Sequence, residues 1–593
     1  MTERHRTDRE ILNRANERGP VSRLGAWLRL SGPGWLQSAI TLGGSSLVGA
    51  LYLGVLGGTS MLWLQLVAIT IGVIMLSAIS YVTLSTGIRP YRAINVYINP
   101  VLGVGWITAT ILANMIFVLP QFSLCYDTLD SNLFPGVFDE DSVAIKAVIS
   151  GVMAGVALTA VILSFSGGWT SRLFDWILKF IVGLIVVCFV AMVVWLSRQG
   201  LLNWSQIAWG FVPNPASWNH AAPDIGALMT GLDDKVQEFW RTRIVDTQRL
   251  VMISTAATAV GINMTFLLPY SMIARGWDRP FRGLARFDLI TAMAIPFVLV
   301  TSCIVITSSF AFHGKADPDM LSDDVQRIMA SPMFLATQDV LEQRLQLTEP
   351  PGSLPAINAM REDSKQAREA KEKARELYLA EFVQRLSPEE RKLAATLVKP
   401  NTSQLAATLA PLFGDRQIAD RVFGLGAFAM GFSTIIILML INGYAVAEVF
   451  GNYDNRLLRI VGAAAAGAMG FCWFLFAGTS SRTWLVVAAS AFGAILLPIA
   501  YLAFFLLMNN SRLLGDNQPR GVRRWIWNSL MLVGVAGAIA QAVAATMSHV
   551  SKPVVGSFVL GGVATFLLLL LVGFSARVLP ARSRPLNDSP DSS

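Results

Sequence analysis

The chain has 593 residues, of which 53% are hydrophobic and 15% are charged, about half the charged fraction of an ordinary soluble domain. Its mean hydropathy is +0.53 and its formal net charge is +8. This composition excludes a soluble globular protein. Apolar runs longer than about 18 residues predict membrane-spanning helices, whereas the alternating segments of a membrane barrel are absent. The positive charge is attributed to membrane orientation, and no nucleic-acid partner is expected.

The apolar runs predict an all-α integral membrane protein with about 12 transmembrane helices. The first six are expected near residues 31–56, 60–86, 101–126, 143–166, 174–197 and 249–274. The other six are expected near residues 287–312, 420–447, 457–478, 483–508, 525–547 and 554–576.

These spans divide the chain into six regions. They are a basic cytoplasmic N-terminus at 1–30, a first five-helix repeat at 31–197, a Trp- and Pro-rich extracytoplasmic loop at 198–248, a second five-helix repeat at 249–508 interrupted at 313–419, a last cytoplasmic loop with two additional helices at 509–576, and a disordered cytoplasmic tail at 577–593. Within the loop at 198–248, Trp204, Trp209 and Trp218 are expected at the lipid headgroups, because tryptophan is enriched at membrane interfaces.

The distribution of arginine predicts the orientation. Arg and Lys are retained on the cytoplasmic side of membrane proteins, and the even-numbered loops are the basic ones, as at Arg89, Arg275, Arg456 and Arg512. The basic N-terminus has no apolar core of the kind that a cleaved signal peptide needs. We therefore expect a protein of the cell (inner) membrane with both termini in the cytoplasm.

The insertion at 313–419 is highly charged and contains a strongly helical stretch, residues 362–386. Mixed acidic and basic residues favour a solvated helical hairpin on the extracytoplasmic face. A docking surface for a protein partner is the alternative, and the sequence does not decide between them. Membrane lipid is the other expected neighbour of the chain.

Two predicted spans contain helix breakers in their interior. The first carries Gly43-Gly44-Ser45-Ser46, and the sixth carries Gly261-Ile262-Asn263-Met264-Thr265. Irregular backbone is tolerated at membrane depth only where it lines a cavity or is buried in protein, and paired interruptions in two repeats indicate a midplane binding site. Close helix packing is the alternative interpretation of the glycines. The predicted substrate-binding residues are Gly43, Gly44, Ser45, Ser46, Asn263, Met264 and Thr265.

Several short motifs in order resemble the NRAMP (natural resistance-associated macrophage protein) family of divalent-metal transporters. The motifs are Gly32 to Leu36, Pro269 to Ser271, Phe312-His313, Leu409 to Gly414 leading into Gly431 to Thr434, Leu497-Pro498, and Ser511 to Gly515. The resemblance implies a LeuT-like inverted five-helix repeat with broken first and sixth helices. It also implies a secondary transporter of metal ions.

The sequence departs from the family at its metal-binding motifs. The family's Asp-Pro-Gly-Asn falls on residues 43–46 and its Met-Pro-His on residues 265–267, so its ligand positions are occupied by Gly43, Ser46 and Thr265. The metal ligands of this chain are therefore unknown, although a shifted register at Met264 is an alternative that restores a thioether. In the third span, where family members carry acidic residues for proton passage, the chain has Asn114 and Gln121.

Three functions remain open. Neutral hydroxyl, amide and carbonyl oxygens suit a divalent ion that stays hydrated, such as Mg²⁺, better than a bare transition-metal ion. The alternatives are a transporter of an organic solute such as an amino acid or amine, held at half-helix N-termini, and a non-transporting membrane sensor or scaffold. An enzyme is not expected, and neither is a cofactor, because no metalloprotease, phosphate-loop or dinucleotide motif is present.

Overall fold

The computed structural model describes residues 3–138, 142–165, 168–348, 365–398, 416–476 and 482–550. Every regular element in these ranges is a helix, which confirms the predicted all-α class. The first fifteen are α1 Glu3–Arg18, α2 Pro20–Leu30, α3 Pro33–Thr41, α4 Gly44–Gly57, α5 Trp63–Thr86, α6 Pro90–Tyr97, α7 Pro100–Thr128, α8 Val143–Phe165, α9 Gly168–Arg198, α10 Trp204–Gly210, α11 Pro223–Leu228, α12 Asp234–Ala259, α13 Ile262–Ala274, α14 Arg282–Asp288 and α15 Ile295–Phe312. The others are α16 Val325–Ala330, α17 Pro332–Thr348, α18 Lys365–Arg385, α19 Pro388–Thr396, α20 Arg416–Val449, α21 Arg456–Phe471, α22 Trp473–Phe476, α23 Arg482–Met508, α24 Ser511–Leu514 and α25 Val522–Val550.

The described residues contain eight helical segments that are long and apolar enough to cross a membrane. Two bent helix pairs raise the number to 10 if each is one span, and α13 is a shorter apolar helix. These elements correspond to the first eleven predicted spans. The predicted span at 554–576 lies outside the described residues.

The first span is broken between α3 and α4, and its two halves meet at 51°. Gly43 lies at the break in an extended conformation, with φ −94° and ψ 173°. A Cβ atom at Gly43 would lie 2.6 Å from the Thr434 hydroxyl oxygen. Glycine is therefore required here by the close approach of α20.

The sixth span is broken between α12 and α13, where Val260 and Gly261 are extended. The half before the break is longer than the sequence predicted, because α12 begins at Asp234, within the segment 198–248 that was expected to be a loop. Its first turns carry charged residues, which gave no apolar signal for a membrane helix.

The core of the bundle is built around α20, which packs against α3, α7, α9 and α21. Helix α4 packs against α12 and α15, and α13 packs against α3, α5 and α7. Helices α3, α4 and α13 therefore lie inside the bundle, whereas the first part of α12 is largely exposed.

The bundle has two ends, which we name by what they carry. The terminal face holds α2, the end of α13 at Arg275, and the loop after α20. The insertion face holds the end of α4, the start of α12, and the end of α15 at His313, where the helices α16 to α19 of the insertion begin. His313 bonds the Val55 carbonyl at 2.8 Å, which places the ends of α15 and α4 together.

Candidate functional site

A cavity of about 30 Å³ lies between the two helix breaks. A volume of this size holds about two water molecules. The residues that line it come from α3, α4, α7, α12, α13, α20 and the breaks themselves: Ile40, Gly43, Ser45, Ser46, Phe117, Gln121, Thr258, Gly261, Asn263, Met264, Thr434 and Leu438.

Most of the residues predicted from the sequence meet at this cavity. Five of them line it, namely Gly43, Ser45, Ser46, Asn263 and Met264. Gly44 borders it through its backbone N–H, which donates to Gln121 Oε1. Thr265 does not line it.

Thr265 instead contributes to packing between helices. Its hydroxyl donates to the Ile262 carbonyl at 2.5 Å and accepts from Trp106 Nε1 at 3.2 Å. The first bond is within α13 and the second joins the side chain to α7, and the position of the family's methionine does not line the cavity in this chain.

The N-terminal ends of α4 and α13, which begin at the two helix breaks, are capped by amide oxygens. At α4, Gly44 N–H donates to Gln121 Oε1 at 2.8 Å, and Gln121 Nε2 lies 3.4 Å from Ser45 Oγ. At α13, Met264 N–H donates to Asn263 Oδ1 at 3.0 Å. Helix N-termini carry partial positive charge, and here two neutral amides satisfy it without adding a negative charge.

The C-terminal ends of α3 and α12 reach the cavity from the other direction. Helix C-termini carry partial negative charge from their last carbonyl groups. Two hydroxyls lie at this end: Ser46 donates to the Thr41 carbonyl at 2.6 Å, and Thr434 donates to the Met430 carbonyl at 2.9 Å and lies 3.2 Å from the Ala39 carbonyl. A hydroxyl that donates its proton keeps lone pairs with which it can bind a cation.

The cavity lining has no ionisable ligand. None of its residues is an Asp, Glu, His or Cys, and no cluster of three or more such residues that could hold a metal ion occurs in the described part of the chain. Met264 is the one soft donor in the lining, and its sulfur accepts from the Thr41 hydroxyl at 3.4 Å. The thioether therefore lies at the cavity one position before the family's methionine.

The sequence alone did not identify three polar lining residues, Gln121, Thr258 and Thr434. Gln121 stands in the third span, where family members carry acidic residues, and it bonds Gly44 of a neighbouring helix while also lining the cavity. Thr434 belongs to the Gly431 to Thr434 motif, which carried the family resemblance. Thr258 had no distinguishing signal in its own helix.

A second polar cluster lies at the terminal face around Asp288. The Asp288 side chain is 1% exposed and accepts from the Ser31 hydroxyl. It also accepts from Gly34 N–H at 2.6 Å and Gly32 N–H at 3.3 Å. Gly32 is the N-cap residue of α3 and has no side chain of its own, so Asp288 caps this half-helix from the seventh span.

Ion pairs surround this capped end. Arg275, at the end of α13, pairs with Asp175 of α9 at 2.8 Å, and Lys179 donates to the Ser31 carbonyl at 3.2 Å. Arg89 pairs with Glu448 of α20 at 2.9 Å. Burial lowers the pKa of Arg89, but the charge and hydrogen bond of Glu448 raise it by more, so the pKa is raised overall.

These features together define a polytopic helical membrane transporter whose two broken helices border a central cavity lined by hydroxyl, amide and apolar side chains. The sequence matches the family model described as "Natural resistance-associated macrophage protein-like" over residues 34–330 and 393–548. The chain belongs to this family, the Nramp transporters of divalent metal ions, and has its LeuT-like fold.

Solved structures similar to the chain include crystal structures of the Eremococcus coleocola manganese transporter. A histidine-to-alanine mutant is 13% identical, with a TM-score of 0.48 and coverage of 94% of each chain. The same transporter in complex with an aromatic bis-isothiourea substituted compound is 12% identical, with a TM-score of 0.49 and coverage of 94% of this chain and 95% of that one. No curated relative matches the chain.

Proposed function

We propose that this transporter carries a divalent cation that keeps part of its hydration shell, and that it binds the ion through neutral oxygens at the helix breaks. The predicted residues Gly43, Gly44, Ser45, Ser46 and Asn263 surround the path, with Met264 beside them. In this proposal the chain acts as a secondary transporter and not as an enzyme.

The polarity of the cavity carries the proposal. The positive ends of α4 and α13 are already capped by Gln121 and Asn263, whereas the negative ends of α3 and α12 point toward the cavity together with the hydroxyls of Ser46 and Thr434. Such a cavity favours a positive ligand over a negative one.

The size and neutrality of the cavity narrow the choice of ion. About two waters fit beside the lining oxygens, so a bound ion keeps part of its first shell and takes its other ligands from the protein. Mg²⁺ dehydrates reluctantly and usually keeps several waters. Because calcium and magnesium affinities rise with the number of charged ligands, we expect weak binding, with a dissociation constant on the order of 1 mM.

The organic-solute alternative fits less well. A carboxylate would need the open N-terminus of a half-helix, but Gly44 N–H is bonded to Gln121. A cavity for about two waters is also smaller than an amino acid. The non-transporting alternative predicts a free insertion surface, whereas the insertion residues Glu390 and Leu397 are engaged by the bundle.

For orientation, we propose that the terminal face is cytoplasmic and that the chain lies in the cell (inner) membrane. The arginine distribution supports this assignment. The exposed Trp204, Trp209 and Trp218 on the other side are then placed to contact lipid headgroups.

Thermal unfolding of the purified protein tests the proposal. A ligand that binds only the folded state stabilises it by RT ln(1 + [L]/Kd), so we expect Mg²⁺ to raise the Tm over the millimolar range and Mn²⁺ to do no better. The variant Ser46→Ala should lose this response, whereas Ser85→Ala, whose hydroxyl bonds a carbonyl in α5, should keep it. Stabilisation by an amino acid or amine but by no divalent ion would contradict the proposal.

A further inference from the structure

The insertion, residues 313–419, includes a segment from residue 331 to 392 that lies between the two stretches that match the family. Its described part is helical and has its own buried centre. Arg344 pairs with Glu390 at 2.8 Å, and the two side chains are 5% and 8% exposed. Arg391 donates to the carbonyl groups of Leu386, Ser322 and Gln384. The described part of the insertion is therefore a folded unit with a buried ion pair.

The insertion is bonded to the outer half of the sixth span. Trp240 of α12 is fully buried, and its Nε1 donates to Glu390 Oε1 at 2.9 Å. The same Glu390 oxygen accepts from Arg344. One turn further along α12, Arg243 donates to Gln343 of α17. The Glu390 carboxylate therefore takes part in the ion pair inside the insertion and also joins the insertion to α12.

The insertion is also bonded to the outer half of the first span. The Tyr52 hydroxyl of α4 donates to the Leu397 carbonyl, just after α19, at 3.0 Å. Tyr52 is 6% exposed, so this bond is sheltered from solvent. The insertion therefore forms hydrogen bonds with both α4 and α12 at the insertion face.

The same two half-helices reach the cavity at their other ends. Helix α4 contributes Ser45, and α12 contributes Thr258. At about 1.5 Å per residue, α4 rises about 10 Å from Ser45 to Tyr52, and α12 rises about 27 Å from Thr258 to Trp240. Because a helix is a rigid element, a restraint at the insertion face fixes the separation of the cavity walls.

We propose that the insertion is a clamp that holds α4 and α12 together, with Tyr52 and Trp240 as positioning residues for the cavity. This proposal rests on the cavity being the transport path. The bonds of Tyr52 and Trp240 to the insertion form when α4 and α12 are close together and break when the two helices separate. Contacts that are present in one of two states favour that state.

The test uses the full-length chain with Ser45→Cys in proteoliposomes and a membrane-impermeant thiol reagent. The cavity is too small for such a reagent, so the labelling rate reports how often the path opens. The double variant Tyr52→Phe/Trp240→Phe removes both bonds to the insertion and leaves the Arg344–Glu390 pair whole. We expect it to raise the labelling rate roughly thirtyfold, because each of the two lost hydrogen bonds contributes about 1 kcal/mol net.

The matched control is Tyr81→Phe/Trp204→Phe. The Tyr81 hydroxyl donates to the Asn517 carbonyl at the terminal face, and Trp204 Nε1 donates to Ser197, so the same chemical groups are removed away from the clamp. An unchanged rate in the clamp variant, or an equal increase in the control, would overturn the proposal. The readout needs no substrate, so it remains decisive even if no divalent ion stabilises the protein.

Discussion

Single residues set the chemistry of the cavity, and the amide of Gln121 is central among them. Its oxygen occupies the N-terminus of α4, and its nitrogen points toward Ser45. An amide with this orientation offers hydrogen-bond donors and no negative charge to the cavity. It therefore works against tight binding of a dehydrated cation and is compatible with an ion that keeps some of its water.

Changing this amide to a carboxylate should raise ion affinity. In Gln121→Glu, a carboxylate lies at the positive end of α4, where the helix dipole stabilises it, and it supplies the anionic oxygen that divalent ions prefer. We expect at least a tenfold lower dissociation constant for Mn²⁺ or Mg²⁺, measured from ion-dependent Tm shifts. The control is Asn114→Asp, which adds a carboxyl group to the same helix outside the cavity lining; an equal gain in both variants would contradict this role of Gln121.

His313, at the insertion face, should make stability depend on pH. Burial lowers its pKa from 6.5, more than the Val55 carbonyl bond and nearby Asp224 raise it. The folded state then keeps His313 neutral while the unfolded chain takes up a proton, so the stability it contributes is present above pH 6.5 and lost as the pH falls toward the lower folded value.

We therefore expect the Tm of the wild type to fall on acidification from about pH 7.5 to about pH 5.5. The Tm of the His313→Gln variant should fall less over the same range. His220→Gln, at an exposed position, should behave as the wild type. Identical pH profiles for the His313 variant and the wild type would show that this imidazole does not titrate with unfolding.

Among the elements, the half-helices of the broken spans depend on partners far away in the chain. The breaks were predictable from the sequence, because the adjacent glycines Gly43 and Gly44 weaken a continuous helix in the middle of an apolar run. Their partners were not predictable. Asp288, Gln121 and Thr434 each approach the first span from another helix, and no local pattern records such a contact.

The half-helix α3 should loosen when its cap is removed. In Asp288→Asn, the charge that accepts from Ser31 and from the N–H groups of Gly32 and Gly34 is lost, at a cost of about 2 kcal/mol for charge-assisted bonds. We expect a lower Tm and faster thiol labelling of Ser38→Cys from the terminal face. Asp278→Asn is the control, because Asp278 pairs with Arg9 near the surface; equal effects of the two variants would contradict the capping role of Asp288.

At the scale of the whole molecule, the sequence predicted the helical class, helices at eleven of the twelve expected spans, of which up to 10 are long and apolar enough to cross a membrane, and the meeting of both breaks at one site. Apolar periodicity and the order of the family motifs carry this information. They do not predict that α12 begins at Asp234, because the polar first turns of this helix lack an apolar signal. They also do not predict the bonds of Tyr52 and Trp240 to the insertion, because these bonds join segments that are distant in the sequence.

The central claim is that a divalent cation crosses the membrane through the neutral cavity at the helix breaks. Uptake of Mg²⁺, Mn²⁺, Ca²⁺ and Zn²⁺ into proteoliposomes tests it most directly, with Gly43→Trp to fill the break and Gly155→Trp as the control, since Gly155 has open space around it. We predict saturable Mg²⁺ uptake in the wild type and the control, and none in Gly43→Trp. Uptake of no ion, or equal uptake in all three proteins, would contradict the claim.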